Sequence, residues 1–533
     1  MITTAVRRIC LLGFFLSSLA FSVLQAATRD VTAYGATGNG TADDTTGINN
    51  AIAALVPGDT LLFPCGTYLS TSQLTITVSN VTVDGSGCAI IHNASSGRAA
   101  IMLIGASGNA FPNFGPAVPL SSTANELATS FTTVSSVGVS AGDYVYIHQG
   151  GLDYSTDTSP GHPTNCDVSG CRGEVLKVQS VNGNAITVAT ALHDTYDPSV
   201  NAAVAQKILN PLTGVTVKNI TFEGTQALFY GFGMSGVAES QVQGVTARNV
   251  QAAALFSVGS FNLSYSNITV SQAGSTLCGN AVTLFIAGNM TVNGMSISNE
   301  NPGTGSGCLA NGAFGLGLGT LANGTFTNVT VDGSGAYGRP FKTTAARWNT
   351  FNSLTVKNGV AAMDGLAIHY YSSHNTYNNC VATNNGVGTG TGTGSAGIIT
   401  FGNFNQYNTF SNCTVTGNGN IQFYVSAYDA LRLGQDTYVT INGGTFAGTN
   451  SVEPVIGVEG VNPTVIGATV SGPGSEGISI SYNTANACIN NNIFVAGSGL
   501  GAAILSNSTT NIGSGNTLNG FASNLTAGSC SGP

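Results

Sequence analysis

From residue 210 onward the chain repeats itself at the length of one solenoid turn. The copies read VTVKNITFEGT, LSYSNITVSQA, GTFTNVTVDGS, NTFNSLTVKNG, NTYNNCVATNN and NTFSNCTVTGN, with weaker ones in YVTINGGTFAG, PTVIGATVSGP and INNNIFVAGSG. Anchoring them on Asn219, Gly244, Asn267, Gly294, Asn328, Ser353, Asn379 and Asn412 gives steps of 25, 23, 27, 34, 25, 26 and 33 residues. Self-similarity at such a period means a stacked solenoid. The alternation of polar and apolar letters makes its units strands, not helices. The residue after an anchor is Ile220, Ile268, Val329, Leu354, Cys380 or Cys413, which predicts one inward-facing column. Stacked strands lie about 4.8 Å apart, within the Cα range that a disulfide accepts. Cys380–Cys413 is therefore predicted as a staple between rungs.

A solenoid of this kind needs polar surface without much charge, and the composition supplies it. Charged residues are only 7% of the chain, while Gly numbers 72 and Ser, Thr and Asn are abundant. Hydroxyls and amides must carry the polar surface, which argues against a helical protein. The net charge of −9 argues against nonspecific binding to nucleic acid or to an anionic membrane. Arg7 and Arg8 precede an apolar run over residues 9–23 that ends at Gln25-Ala26-Ala27, which reads as a secretory signal over residues 1–26. No later apolar run is long enough to span a bilayer as a helix. Ten cysteines then remain, an even number that favours disulfides in an exported chain. Sequential pairing would give Cys65–Cys88, Cys166–Cys171, Cys278–Cys308, Cys380–Cys413 and Cys488–Cys530; the sequence alone leaves the connectivity open, as it does the oligomeric state.

Residues 29–87 differ from the repeats. Gly35, Gly38 and Gly40 punctuate a loop, Thr41 is a candidate N-cap, and Asp43 and Asp44 sit where a helix should start. Ile48, Ile52, Ala53 and Leu55 follow at helical spacing, Pro57-Gly58-Asp59 stops the helix, and residues 60–63 and 68–78 read as strands. A short amphipathic helix here suits a cap over the open end of a β-stack, whose backbone and core would otherwise be exposed. The stretch resembles the N-terminal segment of the pectate-lyase-like, right-handed parallel β-helix proteins of rhamnogalacturonase and epimerase type. Asp30, Val31, Tyr34 to Ala36, Gly38 to Gly40, Asp43 to Thr45, Phe63, Pro64, Gly66 and Tyr68 carry that resemblance. It implies an all-β, right-handed parallel β-helix with a short capping helix, and a polysaccharide as substrate class. The N-T-D, D-D, G-H-G and R-I-K motifs of polygalacturonase-type members are missing, so no catalytic role carries over with the resemblance.

Between residues 109 and 209 the rhythm stops. GDYVYIHQG and GEVLKVQSVNGNAITVATALHDTY read as antiparallel hairpins around Gly142-Asp143 and Asn182-Gly183 turns. They predict a small β module inserted between the first rungs (27–108) and the main β-helix (210–533). His148, His162 and His193 within it lack metal-ligand spacing and read as structural.

Reactive side chains gather instead around the long steps of the repeat. GRPFKTTAARW holds Arg339, Lys342 and Arg347; MDGLAIHYYSSH holds Asp364, His369, Tyr370, Tyr371 and His374; FYVSAYDALRLGQD holds Tyr424, Asp429 and Arg432. Aligning Gly338, Gly365 and Gly397 as strand openers gives Lys342, His369 and Phe401 a shared offset of four, and Thr344, Tyr371 and Asn403 an offset of six. Side chains two apart share a strand face, so these residues would line one face. Such a groove suits an anionic sugar chain. In β-elimination a base removes the proton beside a uronate carboxylate and a cation stabilises the charge that develops. Lys342, Arg347 or His369 would supply those roles and Tyr371 the proton. Arg339, Asn403, Tyr424, Asp429 and Arg432 would hold substrate. Hydrolysis needs two carboxylates roughly 5–9 Å apart, for which Asp364 and Asp429 are the candidates. Each residue also has a plain structural use, as wall, turn or surface pair. No cofactor follows from the residues. Calcium stays open through the resemblance, without a visible aspartate cluster. The competing functional classes are a polysaccharide epimerase and a non-catalytic, glycan-adhering surface β-helix.

Overall fold

The computed structural model describes residues 26–506 apart from 151–171, 200–201, 274–279, 299–314, 334–338, 360–363, 387–395, 403, 427–435, 482–483 and 496–498, together with 515–518 and 521. Residues 1–25 of the signal segment, Cys166, Cys171, Cys278, Cys308, Cys530, His162, Gly338, Asn403, Asp429 and Arg432 lie outside the described residues.

The chain is a right-handed parallel β-helix. Its short strands join into one 35-stranded sheet wound around a single core. Register is strict from rung to rung. Thr325, Thr350, Thr376, Thr409, Thr440 and Thr464 align in one outward column of hydroxyls. Beside it the inward ring stack of Phe326, Phe351, Tyr377 and Phe410 has centroids 4.8, 4.7 and 4.7 Å apart. The period-two alternation holds this register, because a slip by one residue would turn the whole inner column outward. Neutral hydroxyl columns outside and aliphatic or aromatic columns inside explain how so little charge suffices.

The Asn and Gly anchors of the repeat owe their identity to backbone shape. Asn219, Gly244, Asn267, Gly294, Asn328, Asn379 and Asn412 all have φ between 53° and 76°. They form a corner in the left-handed region, which Gly and Asn enter at least cost. Each following residue points inward: Ile220, Ile268, Val329, Leu354, Cys380 and Cys413 are all at most 2% exposed. Cys380 and Cys413 are disulfide-bonded with Cα atoms 4.5 Å apart. Cys65–Cys88 is the second bond formed within the described residues, and Cys488 is also disulfide-bonded.

The N-terminal helix runs Thr45–Ala53, with Ile48 and Ala51 buried in the core. Thr41 does not cap it. Thr41 belongs to the extended segment Asn39–Asp43, and Asp44 occupies the capping position. The Asp44 carboxylate reaches back over the glycine loop instead, accepting from the Thr37 N–H at 2.6 Å, its hydroxyl at 2.9 Å and the Gly38 N–H at 3.2 Å. Loop closure wins over capping because those N–H groups are otherwise unpaired at a partly buried site.

Six strands of the described residues between Val118 and Lys207 form a separate antiparallel sheet with its own core of Val145, Ile147, Leu176, Val178, Ile186 and Tyr196. Its hairpin pairs Asn182 with Ala185. A second apolar layer, in which Tyr144, Tyr146 and Val175 meet Phe256, Phe261 and Ile286, packs this sheet against the solenoid. The approach is close enough that Gly288 is required, since a Cβ there would stand 2.3 Å from the Val175 carbonyl oxygen.

Candidate functional site

The inserted sheet lies along another left-handed corner of the solenoid. This corner runs through Glu239, Asn262, Asn289, Asn323, Trp348, His374, Tyr407 and Tyr438, all at positive φ. Its first half is a polar ladder: Asn323 donates to Asn289, Asn289 to Asn262, and Asn262 to the Glu239 carboxylate at 2.6 Å. Lys177 and Tyr144 of the inserted sheet meet the same carboxylate at 2.9 and 3.2 Å. From Trp348 the ladder becomes aromatic, with Trp348, His374, Tyr407 and Tyr438 stacked at 4.5, 4.7 and 4.6 Å. The Trp348 indole N–H donates to Glu126 of the inserted segment at 2.8 Å.

The residues that precede three of these corner positions open a cleft of about 220 Å³ between solenoid and inserted sheet. Arg347, Ser373 and Gln406 belong to successive rungs, joined by parallel bridging or by the His374 N–H donating to the Gln406 carbonyl. Tyr371 and Phe404 complete the solenoid wall, their rings stacked 5.0 Å apart. Gln149, Arg172 and Asp194 form the opposite wall.

Three charges hold the seam together. Asp194 Oδ2 accepts from Arg172 Nε and lies beside Arg347 Nε, both at 2.8 Å. Arg172 also donates to the Thr195 carbonyl at 2.6 Å, and its guanidinium sits over the Tyr371 ring at 5.6 Å. Burial pushes the Asp194 carboxyl up, but Arg347 and Arg172 together hold it below the usual carboxylate range. Arg347 itself is 2% exposed. Its Nη1 donates to the Ala345 carbonyl at 3.3 Å, whereas its Nη2 has no hydrogen-bond partner among the described residues.

Of the residues singled out in the sequence, Arg347 and Tyr371 line this cleft. His369 is on the outward side of the strand Leu366–His369, buried against Tyr370 and Phe401 at 5.8 and 5.4 Å. Lys342 does not share its level. The register pairs Thr344 with His369 and Lys342 with Ala367, and in the next rung His369 with Phe401. The glycine alignment is thus two residues off for the first strand. The strand Phe341–Thr344 takes its register from inward Phe341 and Thr343, which face Leu366 and Ile368. The shift of two keeps Lys342 and Thr344 on the outward face. Burial, with Arg339 adding repulsion, lowers the Lys342 ammonium to about 7.

Arg339 pairs with Asp364 at 3.0 Å, and the other Asp364 oxygen accepts from the Ala396 N–H at 3.1 Å. Tyr424 lies elsewhere on the outward face, donating to Glu459 at 3.0 Å, and both burial and that carboxylate raise its phenol. Gln149, Gly150, Arg172, Asp194, Ser373, Phe404 and Gln406 are the cleft residues that sequence reasoning missed. Arg172 could have been flagged as one of only 14 cations in the chain. Within the inserted sheet, His193 Nδ1 meets the buried Glu174 at 2.6 Å and His148 Nε2 meets Gln206 at 2.8 Å. Among the described residues no group of three or more His, Cys, Asp or Glu side chains is arranged to hold a metal ion.

Residues 28–276 match the family described as rhamnogalacturonase A/epimerase, pectate lyase-like. That match spans a little under half of the chain, from the first strands to the early rungs of the main β-helix. No curated protein matches it. Among solved structures, this β-helix is similar to the tailspike protein gp49 from Pseudomonas phage LKA1, at 12% identity and a TM-score of 0.55, over 91% of this chain and 84% of that one. It is also similar to the gp54 tailspike of Acinetobacter baumannii bacteriophage AP22, at 12% identity and a TM-score of 0.53, over 92% of this chain and 76% of that one. At these identities the likeness is one of fold. The disulfides fit an oxidising, extracytoplasmic compartment, and among the described residues no helix is long and apolar enough to cross a membrane.

Proposed function

We propose that this β-helix is a secreted, polysaccharide-active enzyme that cleaves an acidic, uronate-containing glycan by β-elimination. One observation carries the reading: the cleft takes Arg347, Ser373 and Gln406 from consecutive rungs, so it runs with the solenoid axis. A groove with polar groups repeated at the strand spacing of about 4.8 Å suits a linear polymer with repeating units better than a compact metabolite. The family match over residues 28–276 supports the same substrate class, and the AP22 tailspike was solved in complex with a capsular saccharide. Export would follow from the signal segment at residues 1–26.

In this mechanism Arg347 neutralises the uronate carboxylate as charge develops on it. An outward base, Lys342 or His369, removes the adjacent proton. An amine near 7 is matched to base catalysis at neutral pH. Tyr371 protonates the departing glycosidic oxygen. Hydrolysis finds less support, because Asp364 has both oxygens engaged by Arg339 and a backbone N–H.

A uronate polysaccharide panel tests the proposal, read by ultraviolet absorbance of unsaturated ends with reducing sugar in parallel. Absorbance is expected; reducing ends without it mean hydrolysis, and binding with neither product means an adhesin. One of Lys342→Ala and His369→Ala, whichever removes the base, is expected to abolish turnover with the fold intact. Full turnover in either removes that residue from the chemistry.

A further inference from the structure

Arg172, Asp194 and Arg347 form a cluster with a surplus positive charge, closed over by two parts of the fold. Their side chains are 21%, 14% and 3% exposed. Asp194 neutralises one guanidinium and sits between the two, which fixes both forks at the cleft wall. The second charge has no counter-ion in the cluster. The Arg347 Nη2 is buried, makes no hydrogen bond among the described residues and belongs to a residue that lines the cleft. A buried guanidinium N–H without an acceptor is costly, and the acceptor that would relieve both the lone N–H and the surplus charge is an anion. Guanidinium forks match planar carboxylates two bonds at a time. Around this point Ser373, Gln149 and Gln406 offer neutral polar groups, while Tyr371 and Phe404 supply a ring surface.

We infer that the seam between inserted sheet and solenoid is a carboxylate-binding subsite that selects a free uronate residue over its methyl ester and over a neutral hexose. The inference rests on the proposed function and deepens it, because it makes the inserted sheet a specificity element. Arg347 and Arg172 bind the carboxylate. Asp194 positions them and touches no substrate. An ester presents no negative charge, and its methoxy group cannot replace a carboxylate oxygen as a charged acceptor, so the surplus charge of the cluster stays uncompensated.

Trp348, the single tryptophan of the chain, adjoins Arg347 and reports on the site without a label. The intact protein is titrated with galacturonate, digalacturonate, their methyl esters and galactose, followed by tryptophan fluorescence and by calorimetry. The free acids are expected to bind saturably, at least tenfold tighter than the esters, with affinity falling as salt is added; galactose is expected not to bind. Arg172→Met, which leaves the Arg347–Asp194 pair in place, is expected to abolish the difference between acid and ester, and Arg172→Lys to restore part of it. Equal affinity of wild-type protein for acid and ester overturns the subsite, as does wild-type discrimination in Arg172→Met. A buried water on Arg347 in place of an anion would give that first result. The acid–ester comparison needs no variant, so it stands even if Arg172→Met does not fold. Free acid that binds with no product from any uronate polymer removes cleavage and leaves the subsite. Product without discrimination between acid and ester does the converse.

Discussion

Arg347 of the solenoid and Asp194 of the inserted sheet lie 2.8 Å apart, nitrogen to oxygen, and Arg172 closes on the same carboxylate from the other side. Removing Asp194 would leave two guanidinium groups facing each other in a covered seam. Asp194→Ala is expected to lose about 3 kcal/mol of stability, the scale for breaking a buried charged pair from one side. Its pH dependence has a definite sign. The carboxyl is held below its ordinary value in the folded protein, so its stabilisation is complete above the unfolded value near 4 and is lost as pH falls through the lower folded value. Denaturation midpoints of wild type and Asp194→Ala should differ most at neutral pH and converge in strong acid.

Lys342 shifts in the same direction at higher pH, but as a cost of burial and not a gain from pairing. Its ammonium is lowered from 10.5 to about 7 by burial and Arg339. The folded protein therefore binds fewer protons than the unfolded chain between pH 7 and about 10, and stability rises with pH across that window. Below pH 7 the cost of enclosing the charge is present in full. Lys342→Met is expected to be more stable than wild type at pH 6, with the gain shrinking toward pH 10. Acylation of the native protein at pH 7.5, mapped by mass spectrometry, should mark Lys342 ahead of the ordinary lysines, which remain protonated there.

How much of this was legible follows from what each signal depends on. The rungs and their corner could be read from Asn219, Asn267, Asn379 and Asn412, because positive φ and the inward residue behind it recur at every turn. Cys380–Cys413 could be read for the same reason. Lys342 could be placed on the outward face but not at its level, because the glycines used as markers carry no register, whereas Phe341 and Leu366 do. Asp194 and Arg172 could not be read as a site at all. Their partner Arg347 is brought to them by packing of Val175 against Gly288 and of Tyr144 against Phe261, contacts that leave no periodic trace. Thr41 misled because a capping residue and a loop residue look alike until the donors to Asp44 are known.

The Cys380–Cys413 bond ties rungs 33 residues apart. Cross-linking a loop of that length restricts the unfolded chain by about 3–4 kcal/mol. Both residues are in the core column, at 1% and 0% exposure, so replacement by alanine keeps the column apolar. Cys380→Ala/Cys413→Ala is expected to lower the denaturant midpoint by that amount without changing the circular dichroism of the folded state. An unchanged midpoint would mean that stacking of the neighbouring Tyr377 and Phe410 rings already fixes these rungs.

Glu126 touches the solenoid through one side chain and so separates docking of the inserted sheet from its folding. It accepts from the Trp348 indole at 2.8 Å and lies 3.5 Å from His374 Nδ1. Burial lowers the His374 pKa, and Glu126 opposes that shift. Glu126→Ala removes a hydrogen bond to a charged acceptor, worth about 1.5–3 kcal/mol, and leaves the Arg347–Asp194 contact in place. The expected result is a red shift in tryptophan emission, because the indole N–H turns to water. A further fall in the His374 pKa should appear by NMR. Hydrogen exchange should quicken around residues 124–128, while the sheet core at Val145 and Leu176, held by its own packing, keeps its protection. Faster exchange throughout residues 118–207 would mean instead that the inserted sheet depends on the solenoid corner for its fold.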